Sequence, residues 1–307
     1  MTDAIVIVAA ARTPMGSFQG DFATLAAHDL GAAAIRAAVE RAAIAPALVD
    51  EVLFGNVLPA GQGQAPARQA ALKAGLPISA GAVTLSKICG SGMRSSMFGH
   101  DMLLAGSADV LVTGGMESMT NAPYLLQKGR AGYRIGHDRI LDHMMLDGLE
   151  DAYEVGRSMG TFGEDCAAQY GFTRAQQDAY AITSVSRAQH AIQSGAFAAE
   201  ITPVLVKGRH GDNLVSIDEG PGRIKLDKIP TLKPAFKKDG SITAASSSSI
   251  NDGAAALVLM RESTATKFGC QPLARLWHTR CTRRSPPNSP LRRSARCTRC
   301  WRGRVGL

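Results

Sequence analysis

The feature that most constrains the fold is an alternation of two hydrophobic periods along the first 118 residues. Apolar, β-rich runs of strand length (3–9, 51–57, 82–88 and 109–113) alternate with stretches of helical spacing (24–44, 65–74 and 92–105). Ala65-Pro66 suits a helix start, because proline lacks an N–H that the first turn would leave unpaired anyway. This βαβα order buries strands under helical layers and predicts an α/β fold with a covered mixed or parallel sheet. From Met116 to Ser241 the pattern turns helical and polar, most clearly over 173–194, with Gly/Asp/Lys-rich turns between Lys207 and Gly240. Strand spacing returns over 254–260, as though the chain re-enters the first sheet after an insertion. The predicted division is an α/β domain over 1–118 plus 246–275, an inserted loop domain over 119–245, and an aberrant, disordered tail over 276–307.

Composition narrows the class. A chain of 307 residues, 45% apolar, can bury a real core. No run of 18 apolar residues exists, so no membrane span is expected, and the start at Met1-Thr2-Asp3 reads as a first strand rather than a secretory signal. Six cysteines at irregular positions show no disulfide framework. A reducing compartment, the cytoplasm, is the expectation. The net charge of +8 invites a nucleic-acid reading, but its distribution argues against one. Residues 277–307 hold nine Arg and no acidic residue, which leaves 25 Lys and Arg against 26 Asp and Glu in the rest. The body is neutral, and no nucleic-acid partner is expected.

Cys89 stands at a predicted strand-to-helix junction, in Ile88-Cys89-Gly90-Ser91-Gly92-Met93-Arg94. A cysteine there meets the positive end of a helix dipole and unpaired backbone N–H groups, which favour the thiolate. Gly90, Ser91 and Gly92 leave room for a substrate carbonyl, and the same N–H groups could stabilise an oxyanion. On spacing alone a buried structural cysteine fits as well.

Longer motifs decide between them. Leu85-Ser86-Lys87-Ile88-Cys89-Gly90-Ser91-Gly92-Met93 resembles the nucleophile motif of the thiolase family. The 12–20 stretch, Arg12-Thr13-Pro14-Met15-Gly16 onward, resembles the family's opening loop. Gly55-Asn56-Val57 through Gln69 resembles its second strand and following helix, and Gly114-Gly115-Met116-Glu117-Ser118-Met119 its conspicuous loop. Asp147-Gly148-Leu149, Met159-Gly160, Lys233-Pro234-Ala235-Phe236 and Ser248-Ser249-Ile250-Asn251-Asp252-Gly253-Ala254 follow in family order, so the resemblance covers about residues 4–275. It implies a thiolase-like βαβαβαββ layered half carrying an inserted loop domain, with the family's second half absent. It also implies Claisen chemistry on acyl-CoA thioesters, with Cys89 holding the acyl group. Coenzyme A thioesters would be substrates and no separate cofactor is implied. Residue by residue, Ser248 would hydrogen-bond the pantetheine arm, and Leu149, Met159, Phe236 and Ala244 would line the CoA channel. The partners implied are acyl-CoA and CoA. Full-length relatives form homo-oligomers, and the oligomeric state of this chain is left open. Gly115-Met116-Glu117-Ser118-Met119 favours thiolase over ketoacyl and hydroxymethylglutaryl synthases, and 142–151 resembles the short-chain, biosynthetic-like members.

The chain departs from the family in two respects. Where the family writes Ala-Gly-Asn-Ala-Ser-Gly, it has Ala244-Ala245-Ser246-Ser247-Ser248-Ser249, which removes glycine's left-handed freedom. More consequentially, the family's acid/base groups come from an Asn-Glu-Ala segment, a Gly-His-Pro histidine and a Cys-x-Gly cysteine, and none of the three occurs here. After Leu276 the sequence turns abruptly to Arg, Pro, Ser and Cys without periodicity, as a GC-rich gene does when translated out of frame. His278, Cys281, Cys297 and Cys300 have a zinc-compatible spacing, but within such flanks no metal site is expected. The expectation is an incomplete enzyme, halted before full turnover, with an inert, non-catalytic protein as the alternative. An apolar face left by the absent half would favour aggregation.

Overall fold

A computed structural model describes residues 3–209 and 211–277. The readings of the tail beyond Trp277, its zinc-compatible spacing and its disorder, lie outside the described residues. These residues pack as two compact units. One is drawn from 3–148, 188–209, 211–224 and 250–277, the other from 149–187 and 225–249. Parts of the expected insertion, 119–148 and 188–224, therefore pack with the sheet-bearing unit.

The chain begins with β1 (Ile5–Arg12), the two-residue β2 (Gly16–Ser17), α1 (Ala27–Arg41), β3 (Glu51–Gly55), α2 (Pro66–Lys73), β4 (Gly81–Leu85), α3 (Ser91–Ala105) and β5 (Val110–Ser118). A small hairpin, β6 (Tyr124–Leu125) and β7 (Leu141–Asp142), precedes α4 (Met159–Tyr170) and the 20-residue α5 (Arg174–Gln193). A second hairpin pairs β8 (Val204–Val206) with β9 (Asn213–Val215), and a short α6 (Glu219–Arg223) follows. The first unit closes with β10 (Asn251–Arg261), α7 (Glu262–Phe268) and β11 (Ala274–Leu276). The sheet runs β11-β1-β10-β5-β3-β4, with β2 beside β10. Its β3 is parallel to both β4 and β5, while β10 runs antiparallel to β1 and β5. The mixed sheet and the α/β class expected from the sequence are both present.

Period-two alternation sorts side chains onto two faces. Val110, Val112, Val258 and Met260 join Leu30, Ile35, Ala67 and Ala70 in the larger core, under α1 and α2. Their neighbours Leu111 and Leu259 turn the other way and meet Leu103 of α3. Two glycines set the spacing of these layers. A Cβ on Gly31 would lie 2.5 Å from the Met116 sulfur, and one on Gly99 would lie 2.8 Å from the Thr113 methyl.

The return of the chain after the insertion is read correctly by its strand spacing. The limits of β5 are not. The sequence ends that strand at Thr113, before two glycines, yet it continues to Ser118. Gly114 and Gly115 pair with Ala256 and Ala255 of β10. At Gly114 the backbone of Ala255 comes so close that no Cβ fits, so glycine here marks a tight ladder and not its end.

The Arg-Thr-Pro opening loop is fastened from a distance in sequence. The Arg12 guanidinium donates to both carboxylate oxygens of Asp218, at 2.7 and 3.0 Å, and its Nε donates to Glu200 at 2.7 Å. Asp218 also accepts the Met15 N–H, and Glu219 accepts the Ser17 N–H. A partly buried ion pair thus ties the loop after β1 to the start of α6.

Candidate active site

Cys89 is exposed, on a tight turn between β4 and α3. The sequence reads 82–88 as a strand running straight into the cysteine, but β4 stops at Leu85. Ile88 then adopts φ +49°, a left-handed conformation that a β-branched residue rarely takes. Such strain persists only where neighbours over-determine it. Here the Ser91 hydroxyl donates to the Ile88 carbonyl at 2.6 Å and accepts the Lys87 N–H at 2.8 Å. The Gly90 N–H donates to Lys87 O, and the Ser91 N–H to Ile88 O. The result is a self-stapled loop that presents Cys89 at the mouth of a helix.

Helix α3 supplies the electrophilic side. Among the described residues the N–H groups of Gly92 and Met93 have no partner, as expected in a first helical turn. The helix start is pressed into the end of β3. A Cβ on Gly55 would lie 2.6 Å from the Ser91 Cβ and 2.8 Å from the Gly92 nitrogen. Ser95 locks the same turn to β5, donating to Gly114 O and accepting the Gly114 N–H at 2.9 Å each. Cys89 therefore sits where parallel strands end, the usual place for a site in a sheet of this kind.

A second polar group lies at these strand ends. Asn56, 1% exposed, follows β3 and donates its amide to Glu117 Oε1 at 2.6 Å and to Met116 O at 3.2 Å. The Glu117 carboxylate also accepts the N–H groups of Val57 and Leu58, at 2.8 and 3.0 Å. Burial pushes the Glu117 carboxyl above its ordinary value, outweighing the N–H groups of Val57 and Leu58, the nearby His143 and the Asn56 amide. His143, also buried, accepts the Ala60 N–H at Nε2 and places Nδ1 2.6 Å from Asp147. In the sequence Asn56 and Glu117 stand only as motif letters, and His143 belongs to no motif. No local pattern marks these residues, because their partners are about 60 and 83 positions away.

The residues assigned to CoA by resemblance fall in the second unit. Met159 opens α4, and the Phe236 ring covers the adjacent Gly160 so closely that a Cβ there would overlap it. Leu149 is half-buried, while Ala244 and Ser248 are exposed. Glu164 of α4 gathers the loop before Ala244, accepting the N–H groups of Ser241 and Ile242 at 2.8–3.0 Å and the Ser241 hydroxyl. Burial alone would raise its carboxyl, but these bonds together outweigh it and hold Glu164 below its ordinary value. The run 244–249 needs no left-handed backbone. Among the described residues, the non-glycine positions with positive φ are Gln19, Ala43, Ala65 and Ile88.

Other groups are structural by position. His100 is buried within α3, 8% exposed, with Nδ1 3.0 Å from Asp101. Cys270 is buried, its thiol pushed up by desolvation, and Cys166 lies half-buried on α4. Among the described residues no group of three or more His, Cys, Asp or Glu could hold a metal ion, and no helix is long and apolar enough to cross a membrane.

Comparison with known proteins bears on the family and the fold. The family model of the thiolase N-terminal domain matches residues 5–263. Acetyl-CoA acetyltransferase of Schizosaccharomyces pombe is 47% identical over 274 residues, covering 89% of this chain and 69% of the relative. The enzyme of that name from Pseudomonas aeruginosa is also 47% identical, covering 89% and 70%. The solved acetyl-CoA acetyltransferase of Syntrophomonas wolfei superposes with a TM-score of 0.84 at 41% identity, covering 90% of this chain and 69% of that one.

Proposed function

This chain belongs to the thiolase family, and from that membership we propose that it is an acetyl-CoA acetyltransferase by descent that carries out the first half of the reaction. In that half, the Cys89 sulfur adds to the carbonyl of an acyl-CoA thioester, and collapse of the tetrahedral adduct expels CoA. The Cys89 thiol gives up its proton to solvent as it attacks, the departing CoA thiolate takes one up from solvent, and the acyl group remains as a thioester on Cys89. The observation that carries this reading is an exposed cysteine at the start of α3 beside the unpartnered Gly92 and Met93 N–H groups. Those donors suit the oxyanion of the adduct.

The second half joins the acyl group to the α-carbon of acetyl-CoA, or in the thiolysis direction splits a 3-ketoacyl-CoA. Either needs a group to move the α-proton and a second oxyanion site. The family's three segments for that work do not occur in this sequence. In this reading the partners are acyl-CoA and CoA, with no separate cofactor. Ser248, Leu149, Met159, Phe236 and Ala244 serve the CoA arm, and the loop domain is the 119–245 module inserted into 1–118 plus 246–275. The test is pre-steady-state. Mixing with acetyl-CoA should release one burst of free CoA per chain and form no acetoacetyl-CoA. Continued acetoacetyl-CoA formation would overturn the half-reaction, and no burst would favour the inert alternative.

A further inference from the structure

We propose that Glu117 is a positioning residue for the Cys89 turn, acting as a carboxylate that grips the chain leaving β3 and thereby holds the helix start bearing the cysteine. The inference rests on the reading of Cys89 as nucleophile, but its geometry is independent of CoA. Three donors converge on this carboxylate, the N–H groups of Val57 and Leu58 and the Asn56 amide, within 2.6–3.0 Å. Asn56 in turn donates its own N–H to Leu85 O at 3.0 Å, the last residue of β4 before the Ser86–Gly90 turn. One residue earlier, Gly55 abuts Ser91 and Gly92 with no space for a Cβ. The grip is thus one hydrogen bond and one van der Waals contact from both arms of the turn that carries Cys89.

The far side of the clasp is built for the same purpose. His143 fixes Ala60, and Asp147 fixes His143. Gln62 bridges Asn56 Oδ1 and Leu58 O, at 3.2 and 2.8 Å. Residues 56–62 are therefore pinned at both ends. The strained Ile88 is held by the turn's own Ser91 and backbone bonds, and the clasp fixes where the two arms of that turn, Leu85 and Ser91, are anchored.

Burial raises the Glu117 carboxyl above its ordinary value, yet three donors converge on its two oxygens, so the position calls for acceptors. Glu117→Gln keeps the shape and one acceptor oxygen but turns an amide NH2 toward these donors.

The experiment follows iodoacetamide alkylation of each cysteine by peptide mass spectrometry, in the full chain and in Glu117→Gln. The buried Cys270 serves as an internal monitor of unfolding. Expected are unchanged slow labelling of Cys270, which shows that the variant is folded, and Cys89 alkylation slowed about tenfold by misplacement of the turn. Asn56→Ala, which removes one of the three donors, should slow Cys89 less and in the same direction. It decides the matter if Glu117→Gln does not fold. An unchanged Cys89 rate in a folded variant overturns the proposal, as does a change that appears only with lowered melting and faster Cys270 labelling. A parent that alkylates normally but is never acylated by acetyl-CoA would instead refute the proposed function alone.

Discussion

Replacing Gly55 with alanine tests whether packing at the end of β3 sets the geometry of the Cys89 turn. The added Cβ would stand 2.6 Å from the Ser91 Cβ and 2.8 Å from both the Gly92 nitrogen and the Ser91 carbonyl carbon. None of these is the tip of a flexible side chain, so no rotamer change relieves the overlap. Gly55 itself is held in two ladders, to Leu85 and to Gly115, and cannot easily retreat. The start of α3 must therefore move by about 0.8 Å to restore ordinary contact, an overpacking that typically costs about 1–3 kcal/mol. That displacement falls on the residues carrying Cys89 and its neighbouring N–H groups, and a misplacement near 1 Å costs roughly a hundredfold in rate. Chemical denaturation reads the first effect, and the burst of CoA on mixing with acetyl-CoA reads the second. A Gly55→Ala protein with the parent's midpoint and burst rate would refute the claim that this contact sets the site.

Three further substitutions probe the supports. Asp218→Asn leaves Arg12 without its bidentate partner and should cost about 1–3 kcal/mol by denaturant titration, a range set by bonds to charged, partly buried groups. An unchanged midpoint would show the opening loop is fastened elsewhere. Leu103→Ala empties a fully buried position on the α3 face and should cost about 2–5 kcal/mol, lowering the melting temperature by several degrees. Glu164 is held below its ordinary value of 4.5, so its contribution is present above that pH and lost as pH falls through the lowered folded value. Glu164→Gln should weaken the fold at neutral pH and flatten its acid limb, and a melting curve against pH with the parent's acid slope would contradict this.

What could be read from the sequence follows from the range of the interactions involved. Strands and helices of the sheet-bearing unit are legible because one face of each is buried, and burial writes a period into the residues. Leu111 and Leu259 sit between valines and methionines for that reason. Cys89 is legible because small neighbours stand at fixed offsets around it. Its motif places it, but not the left-handed Ile88, since a β-branched residue beside a strand is ordinarily more strand. The Gly114-Gly115 pair misleads in the same way. A local reader takes it for a terminus, while the cause is a neighbouring strand that arrives some 140 residues later. Glu117, Asn56 and His143 form a site feature only in three dimensions, and nothing in their local sequence separates a clasp from a solvated charge.

Where an acyl group lands tests Cys89 as the nucleophile most directly. The full chain mixed with acetyl-CoA and digested under mildly acidic conditions should show one acetyl group, on the peptide containing Cys89, released by hydroxylamine and absent in Cys89→Ala. Acetylation that persists in Cys89→Ala, or a parent left unmodified at saturating acetyl-CoA, would contradict Cys89 as the nucleophile of this chain.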